Sequence, residues 1–267
     1  MSVVLQISDP HFGTEQKPVV AALLQLHAQL QPDAVVVSGD ITQRARRSQF
    51  RAARDFFTAL NPRAFVIVPG NHDIPLFNLA LRAFAPYANY ASAFGKNLQP
   101  DFVSDDLLII GLNTTRPRRH TDGEVSARQI AYVQQRLRAA RATQLRIVLI
   151  HQPVHVITVL DETNLLHGYR KAIQAWGEAG ADLIMGGHIH LPYVRALQHG
   201  DRKIWAVQAG TALSSRVRGG VPNSVNVVRY RGDAAHRECS IEQWDFDLRS
   251  GTFRMALRTA VDLSSTF

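Results

Sequence analysis

The chain has 267 residues, 46% hydrophobic and 19% charged, which excludes a disordered chain, and its 17 Gly and 12 Pro exclude a collagen-like or repetitive fibre. Thirty basic against 22 acidic residues leave a net charge of +8, a balance that attracts phosphorylated substrates, nucleic acid or an anionic membrane surface. A general preference for Arg codons produces the same excess, because only four of the basic residues are Lys.

Val3–Ile7 is a short apolar run, readable as a buried strand, and it ends in Ser8-Asp9-Pro10-His11. Val19–Leu30 follows with helical periodicity. It is too short to span a membrane and carries Gln25, His27 and Gln29, and it follows Asp9 and Glu15 rather than a basic segment. No stable membrane insertion and no signal peptide are expected. The strand Ala34–Val37 ends in Ser38-Gly39-Asp40, and the helix Ser48–Leu60 presents Phe50, Phe56, Phe57 and Leu60. Ala64–Val68 ends in Pro69-Gly70-Asn71-His72-Asp73. Residues 78–99 are the least regular stretch of the first half, read as a small insertion near the site. The helix Ser126–Arg141 precedes the strand Arg146–Ile150, which ends in His151-Gln152-Pro153. A last helix, Leu165–Ala179, leads to Asp182–Met185, which ends in Gly186-Gly187-His188-Ile189-His190.

Strands alternating with helices imply a βαβ build with helices outside a sheet. From Pro192 the texture changes to short alternating runs, Tyr193–Leu197, Ile204–Gln208, Val225–Tyr230, Glu238–Trp244 and Thr252–Leu257. These read as antiparallel hairpins forming a second sheet against the first. With no linker or repeat, residues 1–267 are expected to form a single domain. Cys239 is the only cysteine. It excludes an intrachain disulfide and points to a reducing, cytoplasmic location.

Open α/β sheets bind ligands beyond the carboxyl ends of their strands. Five strand ends here carry Asp9, His11, Asp40, Asn71, His72, His151, His188 and His190. Taken singly, each has a bland reading: Asp9 can cap a turn, and Gly39-Asp40 is a common turn dipeptide. Gly70-Asn71-His72-Asp73 is stronger, and Gly187-His188-Ile189-His190 stronger again, since alternate residues of an extended segment share a side. Imidazoles, carboxylates and one amide oxygen suit borderline first-row metals, and no Cys marks a structural zinc site. The remaining histidines, His27, His120, His155, His167, His199 and His236, read as surface residues or as supports behind the ligands.

This ordered series, over roughly residues 3–230, resembles the calcineurin-like metallophosphoesterases, and most nearly the class III cyclic-nucleotide phosphodiesterases and related small bacterial phosphohydrolases. The resemblance implies a four-layer αββα sandwich, two mixed sheets flanked by helices, with a dinuclear centre at the strand ends. One metal would take Asp9, His11, Asp40 and His190. The other would take Asp40, Asn71, His151 and His188, with Asp40 bridging. His72 would be a substrate-facing catalytic residue that is not a ligand, with Asp73 its orienting partner. Two divalent or mixed-valence transition metals (Mn, Fe or Zn) are implied, and a water bridging them would lose a proton and attack phosphorus. The expected partner is a small phosphate ester, a nucleotide among the candidates, and a homodimer is compatible.

Neither the Asp-Arg-Gly nor the Asn-His-Glu of the protein Ser/Thr phosphatases is present. Gln152 stands where many of the nearer relatives have a second His, which bears on substrate choice. The main reading is a phosphodiesterase, with a phosphomonoesterase or a nucleotide-linked pyrophosphate hydrolase as alternative. A basic nucleic-acid-binding protein is the non-enzymatic alternative; it rests on charge alone, without interleaved aromatics. Arg216 and Arg218 in the loop Thr211–Gly219 are candidates for binding substrate phosphate or a nucleotide edge. An exposed basic loop explains them equally well, and the same holds for Arg116, Arg118 and Arg119.

Overall fold

The computed structural model describes residues 1–199, 202–233 and 236–263. Strands β1 (Ser2–Ile7), β2 (Ala34–Ser38) and β3 (Phe65–Val68) pair in parallel. They share a six-stranded sheet with β10 (Ser224–Gly232), β11 (Arg237–Asp247) and β12 (Thr252–Val261), in the order β12-β11-β10-β1-β2-β3. The other sheet contains β4 (Asp101–Val103), β5 (Leu107–Gly111), β6 (Leu145–Leu149), β7 (Leu183–Gly186), β8 (Tyr193–His199) and β9 (Arg202–Gln208). Its order is β4-β5-β6-β7-β9-β8. Both sheets are mixed, because β10 runs antiparallel to β1, and β4 and β8 antiparallel to their neighbours.

The period of two in each strand builds three apolar layers. Val4, Val36 and Val66 meet Ile109, Ile147 and Met185 between the sheets. The alternate residues Leu5, Val35, Val37 and Ile67 face α1 (Lys17–Leu30), α2 (Arg47–Leu60) and α4 (Ala88–Phe94). Ile110, Val148 and Ile184 face α5 (Ala127–Arg138) and α6 (Tyr169–Glu178) on the far side. Strands buried on both faces must be apolar throughout, which is why they read as continuous runs.

Two expectations need correction. The early strands divide between the two sheets, and the late hairpins form no sheet of their own: β8 and β9 extend one sheet, β10–β12 the other. The last helix starts at Tyr169 rather than Leu165. Leu166 N and His167 N instead donate to Pro153 O and Gly123 O of adjoining loops, and Gly168 turns with a φ of 87°. The run Leu107–Gly111, not among the expected strands, is β5, next to the edge strand β4.

Residues 78–99 hold two short helices, the six-residue α3 (Leu79–Phe84) and α4. Tyr90 of α4 is buried and its hydroxyl donates to Ile67 O.

Ile147 has no solvent exposure and lies between the sheets. Ile147→Ala should destabilise the fold by about 2–5 kcal/mol, measured by urea unfolding. A loss under about 1 kcal/mol would contradict burial on that face.

Candidate metal centre

The parallel strands deliver their polar turns to one edge, where backbone bonds lock the turns together. Asp9 N donates to Gly39 O (3.1 Å), His11 N to Asp40 O (3.0 Å) and Gly187 N to His151 O (2.9 Å). The carboxylates add to this: His72 N donates to Asp40 Oδ1 at 2.8 Å, and His188 N to both oxygens of Asp9 at 3.0 and 3.1 Å. Asp9, His11, Asp40, His188 and His190 all adopt left-handed φ between 42° and 76°. Such a backbone costs a non-glycine residue of order 1–3 kcal/mol and persists where surrounding structure enforces it. A Cβ on Gly187 would overlap Asp9 Oδ2, and one on Gly70 would overlap Asp40 Oδ1, so both turns need the bare backbone.

All seven ligand candidates come together. Asp9, His11 and His190 bring one donor atom each within 4.8 Å of one another, as do Asp40, His151 and His188. His190 Nε2 is 3.1 Å from His11 Nε2 and 3.4 Å from Asp9 Oδ1. His151 Nε2 is 3.3 Å from Asp40 Oδ1 and 3.1 Å from Asn71 Oδ1. Asp40 Oδ2 is 3.7 Å from His11 Nε2, so Asp40 stands between the groups.

The outer nitrogens fix the tautomers. His151 Nδ1 faces Ser38 O at 2.8 Å and His190 Nδ1 faces Arg216 O at 2.7 Å. A carbonyl only accepts, so both Nδ1 atoms carry a proton and both Nε2 atoms face inward. His188 uses Nε2 on Asn164 Oδ1 at 3.2 Å, while its buried Nδ1 has no protein partner. Inward-facing imidazole nitrogens, buried carboxylates and an orphaned imidazole nitrogen fit a pair of divalent cations.

The electrostatics agree. Burial opposes charge on Asp9, but His190 and His151 outweigh it and hold the carboxyl below its ordinary value. Burial is likewise outweighed at Asp40, chiefly by His151, and the carboxyl lies well below the usual range. Burial pushes His11 down to about 3 and His188 down to about 4. His151 moves the other way: the pull of Asp40 overcomes burial and raises it to about 9.

His72 flanks these groups, and its Nδ1 is held by Gln43 O at 2.9 Å. Asp73 is therefore not its orienting partner. The buried Asp73 carboxylate instead accepts from Ile41 N, Thr42 N, Thr42 Oγ1 and Gly70 N, joining the turns after β2 and β3. Burial, reinforced by Asp40, raises it to about 6. Arg216 reaches the site, with Nη1 3.2 Å from His72 Nε2, 3.2 Å from Gln43 Oε1 and 3.5 Å from His11 Nδ1. Arg218 lines the same cavity but is engaged by Asp161, 3.0 Å from each carboxylate oxygen. Gln152 is buried; it accepts from Thr114 Oγ1 at 2.6 Å and donates to Thr121 O at 3.2 Å, fastening a loop. Arg116, Arg118 and Arg119 line a separate cavity. His167 pairs with Asp122 and His236 with Glu238, and the His199 side chain lies outside the described residues.

Sequence reasoning missed the supports beneath the site. Asn226 Nδ2 donates to Gln6 Oε1, Gln6 Nε2 to Ser38 Oγ, Ser38 Oγ to Ser8 Oγ, and Ser8 Oγ to Asp9 Oδ2. The available signal was Gln6, a polar residue inside an apolar strand.

A family model described as calcineurin-like phosphoesterase matches residues 2–192. A probable cyclic nucleotide phosphodiesterase from Synechococcus sp. is 25% identical over 202 residues, 72% of this chain and 74% of that protein. A probable glycerophosphodiester phosphodiesterase from Arcobacter nitrofigilis is 25% identical over 204 residues, 70% of this chain and 71% of that protein. Among solved structures, a dimetal phosphatase from Danio rerio matches with a TM-score of 0.66 and 13% identity, covering 98% of this chain and 99% of that one. At that identity the likeness is one of fold.

Two triads should take up two transition metals per chain, counted by elemental analysis after reconstitution; one or none would refute the arrangement. Without metal, His151 keeps its proton up to about pH 9, and a ligand must give that proton up. Affinity should therefore rise from neutral pH toward that value. Calorimetry at neutral pH, in buffers of different protonation enthalpy, should detect proton release on binding.

Proposed function

Because the chain belongs to the calcineurin-like phosphoesterase family, and so is a metal-dependent phosphohydrolase, we propose that it is a phosphodiesterase, with a 3′,5′-cyclic nucleotide among its candidate substrates. The observation that carries this reading is a cavity of about 530 Å³ lined by His190 of one triad, Asp40 and His188 of the other, Asn71, His72 and Arg216. Its size suits a nucleotide-sized ligand. The two relatives described above are both named for diester cleavage.

Asp9, His11, Asp40 and His190 would hold one ion and Asp40, Asn71, His151 and His188 the other, with Mn, Fe and Zn all suited to this N/O set. When bound, such a pair supplies Lewis acidity toward the phosphate and an activated water for attack. His72 then acts as the acid. With Nδ1 committed to Gln43 O, its ring offers Nε2 to the cavity. Arg216 Nη1 lies 3.2 Å from that Nε2, beside the place the substrate phosphate would take. Phosphate in the cavity offers Arg216 stronger acceptors. With Arg216 drawn to the phosphate, His72 Nε2 would donate a proton to the leaving alkoxide, a loss made good by the proton the attacking water gives up.

Tests on a reconstituted enzyme should use a cyclic nucleotide, bis(p-nitrophenyl) phosphate, a phosphomonoester and a nucleotide pyrophosphate. Both diesters should be cleaved. His72→Ala should keep its metals and lose about 10²–10⁴-fold in turnover of the cyclic nucleotide, with a smaller loss for the aryl diester, whose leaving group needs no proton. Asp40→Asn should lose metal and activity together. Ready hydrolysis of monoesters or pyrophosphates with every diester untouched would replace this reading by the alternative, and loss of metal in His72→Ala would overturn its role as acid.

A further inference from the structure

Besides the β11–β12 hairpin, with Leu248, Met255 and Leu257, three segments expose large apolar side chains. Phe77, Leu79 and Phe84 stand out on one segment, Ile157, Val159 and Leu160 on a second, and Val217 on a third. Phe84 is 90% and Leu160 85% exposed, values that soluble surfaces seldom tolerate in clusters. The second and third segments reach the cavity of the metal centre at Asp161 and Val217, and the first is tied to its edge by Arg82, whose Nη2 donates to Arg119 O two residues before the cavity-lining Thr121. The Phe77 ring lies 5.6 Å below the guanidinium carbon of Arg44, and Arg44 follows Gln43, the residue that holds His72. Leu160 precedes Asp161, and Asp161 and Val217 line the cavity itself.

Arginines lie between these apolar groups. Arg82, Arg116, Arg118 and Arg119 share with Leu79 a neighbouring cavity of about 900 Å³. Arg119 meets Asp122 and Glu124, and Arg218 meets Asp161. Even with the exposed Glu162 counted, basic side chains outnumber carboxylates around the mouth.

A peptide helix needs a continuous apolar seam, and these residues come from separated loops with charges between them. A nucleic-acid duplex would satisfy the arginines and leave Phe84 and Leu160 in water. A surface that takes apolar side chains at several points and offers phosphates beside each one satisfies both sets. We propose that the rim of the active-site cavity docks on an anionic phospholipid bilayer. Attachment is peripheral, since no helix among the described residues is long and apolar enough to cross a membrane. The inference stands on exposure and charge and does not depend on which phosphoester is cleaved.

The test is co-sedimentation of the full chain with phosphatidylcholine vesicles, with and without phosphatidylglycerol. Binding should require phosphatidylglycerol and weaken with added salt. A Phe84→Ser/Leu160→Ser double variant should partition about tenfold less, reflecting lost apolar burial, and Arg118→Gln about fivefold less. Leu248→Ser and Leu257→Ser, exposed on the β11–β12 hairpin, should change nothing. The double variant should hydrolyse a soluble aryl diester like the wild type, so a failure of docking is separable from a failure of the diesterase reading. Wild-type protein that ignores phosphatidylglycerol overturns the proposal. So does a double variant that binds as well as wild type, or binding governed by competition with duplex DNA regardless of the apolar substitutions.

Discussion

Two buried carboxylates, Asp9 and Asp40, hold this structure's functional edge together. Asp9 follows β1 of one sheet and accepts the amide of His188, which follows β7 of the other. Asp40 follows β2 and accepts the amide of His72, two residues beyond the end of the β3 turn's Gly70. Burying an unpaired carboxylate costs several kcal/mol, so each anion requires cationic or hydrogen-bonding neighbours. The imidazoles of His190 and His151 supply them here, at 3.4 and 3.3 Å. The same anions that join the turns thus favour the charged forms of His151 and His190, while burial prevails at His11 and His188.

Elsewhere the sheets are apolar, as strands buried on both faces must be. Three layers of Val, Ile and Leu hold the strands rigidly enough for their ends to adopt left-handed backbone at Asp9, His11, Asp40, His188 and His190. The polar chain from Asn226 through Gln6, Ser38 and Ser8 is the exception within the inter-sheet layer, and it ends on Asp9. Every member has a partner, so it orients the carboxylate without leaving a buried group unsatisfied.

The late part of the chain completes the site as well as the sheets. The loop after β9 carries Arg216, whose carbonyl receives His190 Nδ1 and whose guanidinium meets His72. One residue therefore touches a ligand candidate through its backbone and the candidate acid through its side chain. Beside it, the Arg218–Asp161 pair joins this loop to the segment bearing Asn164, the partner of His188. The loops around the cavity thereby act as one connected rim.

Much of this was legible in the residues alone. Apolar runs closed by Asp, His and Asn mark strand ends, because a strand buried on both faces has room for such side chains only where it stops. The order of those ends carried the family resemblance, the layered α/β build and all seven ligand candidates. Tertiary structure alone decided which strands share a sheet, since every parallel run has the same pattern whichever neighbour it takes. It also decided the partners of the site residues. His72, His151 and His190 are each oriented by a backbone carbonyl, of Gln43, Ser38 and Arg216 respectively. Every residue type has that group, so nothing in the sequence distinguishes it. The resemblance implied Asp73 as the partner of His72, but the 3₁₀ turn Asn71–Asp73 sends its carboxylate back to the amides of Ile41, Thr42 and Gly70. Side-chain chemistry is written locally in a sequence, whereas the direction of a carbonyl or a carboxylate is fixed only when distant turns pack against each other.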